Sequence, residues 1–346
     1  LAHAVARDPA MVIYLDTARS RANAPNENFA RELLELFTLG VGHYTEDDIK
    51  AIARAFTGYS LAPATGEFAF RPAIHDNGSK TVLGQTGMFD GDEIIDILLA
   101  HPRTAETVVE QLWRQFISSE PDRGEIVALA ATFRTDLAYE IEPLMHALLT
   151  SDAFWAQENR AALIKSPVDF LIGTLRQFDT ELPRNNQRGN RPGNLLVLFG
   201  RELGQDIFDP PNVKGWPGGE AWITSQTLLL RNDIALALTG LGEGVAADLP
   251  PELSQGPLAR DTLRDMEPDA RRQLLMARGM ERLGQAMTRS IDRWIVDLSP
   301  DWRDAGAMTQ LLLARPPADM SADVMEGEVT GALLRRVVTD PVYQLK

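Results

Sequence analysis

The sequence predicts a mainly α-helical protein, a single compact multi-helix bundle with a small β-hairpin insertion near residues 59–87. Three observations predict it. Apolar residues recur at three- and four-residue spacing: Phe29, Leu33, Leu36 and Phe37 form one set, and Ile49, Ile52, Ala53 and Phe56 another. Helix start and stop signals frame these runs. Apolar β-branched runs do not alternate with the helices, as a parallel α/β sheet would require.

The elements follow in order. The chain opens in a helical pattern, Leu1-Ala-His-Ala-Val-Ala-Arg7. A helix follows over Asn26–Gly40, and another begins at Thr45, whose spacing to Asp48 is that of a capping box; Asp90 and Glu93 repeat it. Gly40 and Gly58 stand where C′ glycines belong. Within 59–87, Pro63, Gly66, Pro72, Gly78 and Gly84 break the helical period, and Phe68-Ala-Phe70 and Thr81-Val-Leu83 alternate like the two strands of a hairpin. Asn77-Gly78 is a type I′ turn signal. Helices are expected over 92–100, 103–118, 123–136, 140–150, 160–178, 192–205, 222–239, 258–286, 288–298, 302–314 and 321–339. Ser166-Pro167 reads as a cap followed by proline at the first helical position.

Two loops interrupt this succession. Asp206–Ala221 is rich in Pro and Gly, and its Phe208, Val213, Trp216 and Trp222 call for burial. Gly240–Gln255 is Gly/Pro-rich and acidic, the composition of a mobile connection inside one α-helical domain spanning 1–346. A corner motif recurs four times, at Ala6-Arg-Asp-Pro-Ala, Ala100-His-Pro-Arg, Thr150-Ser-Asp-Ala-Phe and Thr339-Asp-Pro-Val-Tyr. Each ends one helix and caps the next. The irregular intervals between them exclude a solenoid repeat.

Composition narrows the function. The chain has 346 residues, enough to bury roughly 75% of its extended surface without staples. It carries 49 acidic against 34 basic residues, a net charge of −15, which argues against nucleic acid or an anionic membrane as main partner. With no Cys, thiol catalysis, thiolate metal sites and disulfides are excluded. Absence of Cys suits an exported bacterial protein as well as a cytosolic one. No segment approaches the roughly 18 apolar residues of a membrane span.

The polar segments are few. On the Asn26 helix, Glu27, Arg31 and Glu35 share one stripe, with Glu32 beside it; large apolar neighbours suggest partial burial. The stripe reads either as an internal ion-pair network or as a carboxylate site for a cation or for acid/base chemistry. His43 stands just ahead of a helix cap. His75-Asp-Asn-Gly-Ser-Lys80 gathers an imidazole, a carboxylate, an amide and an ammonium in one loop. His75 and Asp76, with a third ligand from His43, Glu27 or Glu32, would suit a divalent metal such as Zn, Mn, Fe or Ca. Lys214 beside Trp216 offers an anion or a sugar face a partner. No Walker loop, nucleophile elbow, His-Glu-x-x-His or EF-hand pattern occurs.

Four blocks together resemble a bacterial family known as domain of unknown function 1800. They are Asn26-Glu-Asn-Phe-Ala-Arg-Glu-Leu-Leu-Glu-Leu-Phe-Thr-Leu-Gly-Val-Gly-His-Tyr-Thr-Glu-Asp-Asp-Ile-Lys50, His75-Asp-Asn-Gly-Ser-Lys-Thr-Val-Leu-Gly84, Ile164-Lys-Ser-Pro-Val-Asp-Phe170 and Phe208-Asp-Pro-Pro-Asn-Val-Lys-Gly-Trp-Pro-Gly-Gly219. Asp340-Pro-Val-Tyr-Gln-Leu345 resembles the family's usual close, while residues 240–300 depart from its pattern. The resemblance implies a C-terminal portion of a longer member and a periplasmic or extracellular location. It also implies a co-encoded exported partner that resembles the alkaline-phosphatase superfamily. It carries over no catalytic residues.

Three functions are therefore in contention. The first is a binding or assembly protein acting with that partner. The second is a metal-dependent or acid/base hydrolase whose site lies between the 26–40 helix and the 75–80 loop. There Glu27 and Glu32 would be acid/base groups or ligands, Arg31 an anion clamp, and His75 with Asp76 a metal-ligand or general-base pair. His43 would be a further metal ligand, and Asn26, Asn28, Lys80, Lys214 and Trp216 would be binding residues. The third is a purely structural scaffold whose polar blocks are buried ion-pair networks.

Overall fold

The computed structural model describes residues 1–180, 192–241, 264 and 266–346. Among them are fifteen α-helices and two two-stranded antiparallel sheets, so the protein is mainly α as its periodicity predicts. The chain falls into two compact units, Leu1–Trp155 and Ala156–Lys346.

The first unit opens with α1 (Ala2–Ala6) and α2 (Pro9–Tyr14). Asp8 turns the corner between them, its carboxylate accepting from Ala10 N at 2.8 Å. Helix α3 (Glu27–Glu32) is capped by Asn26 and continues as a π-turn over Leu33–Phe37, where the Thr38 hydroxyl donates to Leu33 O at 2.7 Å. Gly40 follows at φ +81°. Helix α4 (Glu46–Ala55) starts in the predicted Thr45/Asp48 capping box and buries Ile49, Ile52, Ala53 and Ala55. At Gly58 (φ +88°) a Cβ would lie 2.9 Å from Arg71 O, so the turn out of α4 requires glycine.

The excursion from 59 to 87 holds two hairpins where one was expected. Strand β1 (Tyr59–Leu61) pairs with β2 (Phe68–Phe70), Tyr59 opposite Phe70. Strand β3 (Lys80–Val82) pairs with β4 (Gln85–Gly87). Phe68–Phe70 is therefore a strand as predicted, and the second lies one residue earlier than Thr81–Leu83, but the two do not pair with each other. Three-residue strands close most cheaply on their nearest neighbours in sequence. The two-residue turn is Leu83-Gly84, both left-handed at φ +49° and +80°; Asn77-Gly78 does not adopt that geometry. Tyr59 seats the first hairpin, its ring edge-on to Phe56, Phe68 and Phe70. Four further helices of ordinary length and one short one complete the unit: α5 (Gly91–Ala100), α6 (Pro102–Phe116), α7 (Arg123–Thr135), α8 (Ile141–Leu149) and α9 (Asp152–Trp155). Val109, Trp113, Ile126, Phe133, Leu144 and Leu148 fill the core between α6, α7 and α8.

The second unit contains α10 (Pro167–Gln177), α11 (Pro192–Glu202), α12 (Ser225–Thr239), α13 (Pro268–Asp297), α14 (Ala305–Leu312) and α15 (Gly331–Thr339). Its core gathers Phe170, Phe178, Phe199, Ile234, Leu238, Met280, Met308, Leu334 and Tyr343. Helix α13 is one 30-residue helix rather than two meeting near 287: no proline follows Pro268 within it to break the turn. Helices α10 and α15 start later than expected, at a Ser166 capping box and a Thr330 cap. The part of the predicted 258–286 helix before 264, and the 240–255 connection beyond Leu241, lie outside the described residues.

All four recurrent corners are capped from a side chain. Asp8 accepts from Ala10 N, His101 Nδ1 from Arg103 N, Ser151 Oγ from Phe154 N, and Asp340 from Val342 N. No helix among the described residues is long and apolar enough to cross a membrane.

Candidate functional site

The polar stripe of α3 forms and is partly buried. Arg31 faces Glu27 at 3.5 Å and Glu35 at 4.0 Å, as the spacing requires. Its fork, however, is filled by Glu46 from the first turn of α4, with both Nη atoms 3.0 Å from the two carboxylate oxygens. The hydrogen bond to Glu46 holds the guanidinium charged well above its ordinary range and pulls the Glu46 carboxyl down. Tyr44 donates to Glu35 Oε1 at 2.6 Å; burial and that bond push its hydroxyl up to about 12. The Arg31 side chain is 37% exposed and that of Glu35 17%, so the stripe is partly buried, as its apolar neighbours suggest. Glu32 is half-buried next to this stripe. Asn26 caps the helix by accepting from Asn28 N at 2.9 Å, and its amide donates to Asp16 O.

The His75–Lys80 loop is tied to the end of α4. Arg54 grips Asp76 with Nε at 2.7 Å and Nη2 at 3.1 Å, and donates from Nη1 to Ser79 O at 3.1 Å. Gly78 N adds a further bond to Asp76 Oδ1 at 2.8 Å. Arg54's hydrogen bond outweighs burial and, with the Gly78 bond, holds the Asp76 carboxyl at about 2. Thr57, fully buried, donates to Arg54 O and accepts from Asp76 N at 2.8 Å. His75 Nδ1 lies 2.7 Å from Thr57 O, which assigns the proton to Nδ1, and the ring stands edge-on to Phe70. Lys80, only 1% exposed, donates to Asp76 O at 2.6 Å and Gly78 O at 3.0 Å, and burial lowers its ammonium. Asp48 completes the brace: its carboxylate closes the α4 capping box by accepting from Thr45 N at 2.8 Å and accepts from Leu83 N at 2.7 Å, which holds the end of β3 against the helix. Burial alone would raise its carboxyl, but the bonds from Leu83 and Thr45 prevail and lower it.

The structure thus brings His75, Asp76 and Lys80 into one cluster. It brings Glu27 and Arg31 into another, while His43 is exposed in the turn before α4. Among the described residues, no three His, Asp or Glu side chains converge in a way that could hold a metal ion. The partners that organise both clusters, Glu46, Arg54 and Thr57, were not singled out in the sequence. One signal was available: Arg54 sits among Ile52, Ala53 and Ala55, a context that asks for a carboxylate partner.

In the second unit the 206–219 loop stands out. Trp222 is buried at its base, but Phe208 is 98% exposed, Ile207 42% and Val213 39%, and Trp216 is half-buried. Burial was expected for Phe208, Val213 and Trp216. Instead this segment, with prolines at 210, 211 and 217 and glycines at 215, 218 and 219, leaves Phe208 and Val213 exposed among the described residues. Phe208 has a left-handed backbone at φ +70°. The loop is held by Arg201 Nε to Asp206 at 2.6 Å and by Asn212 Oδ1, which accepts from Lys214 N at 2.9 Å. Lys214 is exposed.

A model of the family described as Protein of unknown function (DUF1800) matches residues 1–345. The chain belongs to this family. No curated protein and no solved structure is detectably similar to it. The DUF1800 chain also carries a buried polar cluster that its sequence did not advertise. Arg231, fully buried, donates to Gln344 Oε1 at 3.2 Å and Lys165 O at 3.0 Å, and lies over the Phe170 ring. Lys165 donates to Tyr343 O at 2.7 Å with its ammonium 4.0 Å from the Tyr343 ring centroid. Burial, reinforced by Arg231, lowers Lys165 to about 8 against the opposing charge of Asp169. Lys165 was read only as the residue before a helix cap. Its partners lie more than 60 positions away in the chain, beyond the reach of local spacing.

Proposed function

We propose that this DUF1800 protein is a binding protein of the cell exterior. In this reading it acts with the co-encoded exported protein that resembles the alkaline-phosphatase superfamily, and the 206–219 loop is its recognition surface. The observation that carries the reading is Phe208: 98% exposed and left-handed at φ +70°. A lone exposed apolar residue is ordinary, and a left-handed phenylalanine is costly. Their coincidence in one residue, flanked by exposed Ile207 and Val213, is the kind of strain that persists where a partner uses it. Prolines and internal bonds limit the loop's freedom before binding, so little ordering cost remains to be met. Lys214 adds a cation at the edge of the patch, suited to an acidic rim on the partner.

The polar clusters of the first unit support the same reading. Glu46 occupies the Arg31 fork, and Arg54 and Gly78 N occupy the Asp76 oxygens. Groups so engaged hold structure together rather than wait for a substrate. The test is affinity capture from envelope extracts with the tagged protein, identified by mass spectrometry. Enrichment of the co-encoded protein, lost with Phe208→Ser, is the expected outcome; recovery of background proteins alone would overturn the reading.

A further inference from the structure

A second feature of the Ala156–Lys346 unit is independent of the 206–219 loop. A cavity of ≈ 570 Å³ opens between the segment at Gln157–Arg160 and the end of α14 with the Ala314–Pro317 turn beyond it. The volume falls within the range of small-molecule sites. Leu313, Ala314, Pro316 and Pro317 give it an apolar wall, and Gln157 and Gln310 add amides. Its charged lining consists of Arg160 and Arg315 alone; no Asp or Glu among the described residues contributes. In a chain of net charge −15 this is an unusual local balance.

The two arginines also differ from the ion-paired arginines of the first unit; Arg315, in bonding backbone carbonyls, resembles Arg21, Arg71 and Arg134 there. Arg7, Arg31, Arg54 and Arg103 each meet a carboxylate within 4.0 Å. Among the described residues, Arg160 and Arg315 meet none. Arg315 instead donates from Nε to Arg160 O at 2.7 Å and from Nη2 to Glu158 O at 3.0 Å. Those bonds fix the guanidinium plane and the facing wall together, so a positive group is pre-placed at the mouth. Arg160 is exposed beside it. A guanidinium fork favours planar anions, carboxylate above all.

We infer that this cavity binds a small amphipathic carboxylate, its apolar body against Leu313 and Pro316 and its carboxylate between Arg160 and Arg315. Charge-assisted bonds are about twice as strong as neutral ones, so octanoate should bind at least about tenfold more tightly than 1-octanol. Isothermal titration of the purified chain with both probes tests this. Arg160→Gln should bring the octanoate affinity down toward that of octanol, and Arg160→Lys should recover part of the difference. Gln310→Trp, at an exposed position on the cavity wall, should fill the space and remove binding of both probes without changing the melting temperature. Equal affinity for the two probes, undiminished binding by Gln310→Trp, or no heat with octanoate up to about 10 mM, a free energy near −2.7 kcal/mol, would overturn the inference.

Discussion

Asp76→Asn is the substitution that probes the loop brace of the first unit. Asp76 is 17% exposed in its side chain and receives two contacts from Arg54, at 2.7 and 3.1 Å. Its carboxyl is held at about 2 against an ordinary 3.8. At about 1.36 kcal/mol per pH unit, that depression sets a ceiling of about 2.4 kcal/mol. Arg54 is 34% exposed, and solvent screening brings the expected contribution to about 1–2 kcal/mol. The folded carboxyl titrates below the unfolded one, so the unfolded state binds more protons between about pH 4 and pH 2. The contribution is complete above that window and is lost as pH falls through it. Asp76→Asn should therefore destabilise the first unit by about 1–2 kcal/mol at pH 7, with the difference from wild type closing between pH 4 and pH 2. Native-state hydrogen exchange in increasing urea, followed in peptides covering 50–60 and 76–87, reads this unit separately from the other. No difference at pH 7, or a difference that stays constant down to pH 2, would refute the reasoning.

Three further outcomes follow from the same geometry. Arg31→Ala should cost no more than about 1 kcal/mol in urea melts, because the Arg31–Glu46 pair is largely exposed; a loss of about 3–5 kcal/mol would place it among buried networks instead. Asp48→Ala removes the acceptor of both Thr45 N and Leu83 N, so it should cost about 3 kcal/mol and free β3 to exchange, whereas Thr45→Ala, which removes the cap itself, should cost about 1 kcal/mol. Lys165 titrates at about 8 when folded, below its unfolded range, so the unfolded state binds more protons from about pH 8 to pH 10. The second unit should gain up to about 3 kcal/mol of stability across that window, and Lys165→Met should abolish the slope; a flat wild-type profile contradicts the assignment.

The local rules of the chain were legible to the residue. The capping boxes at Thr45 and Asp90, the Ser166 cap and the four capped corners rest on contacts within three positions, and each is present; Ser166 also closes a capping box with Asp169. The hairpins were only half legible: strand character at Phe68–Phe70 is local, but its choice of Tyr59–Leu61 as partner depends on packing of the Tyr59 ring. The α3 stripe and its partial burial were legible along its own helix, where the spacing of charged and apolar residues sets both. Glu46, Arg54 and Thr57 escaped notice because their roles exist only once α4 lies beside α3 and the 75–80 loop. Phe208 was assigned to the core on hydrophobicity alone, and its left-handed, exposed state has no sequence signature.

The central claim is that Phe208 contacts a partner, and one affinity measurement addresses it directly. The purified chain and the co-encoded exported protein proposed above as its partner would be titrated against each other by biolayer interferometry, wild type beside Phe208→Ala. Removing a phenylalanine that becomes buried on binding should weaken the complex by about 10- to 100-fold. The account predicts that loss with the melting temperature unchanged or raised, since the left-handed phenylalanine contributes nothing to the free fold. No measurable complex, or equal affinity for both forms, would contradict it.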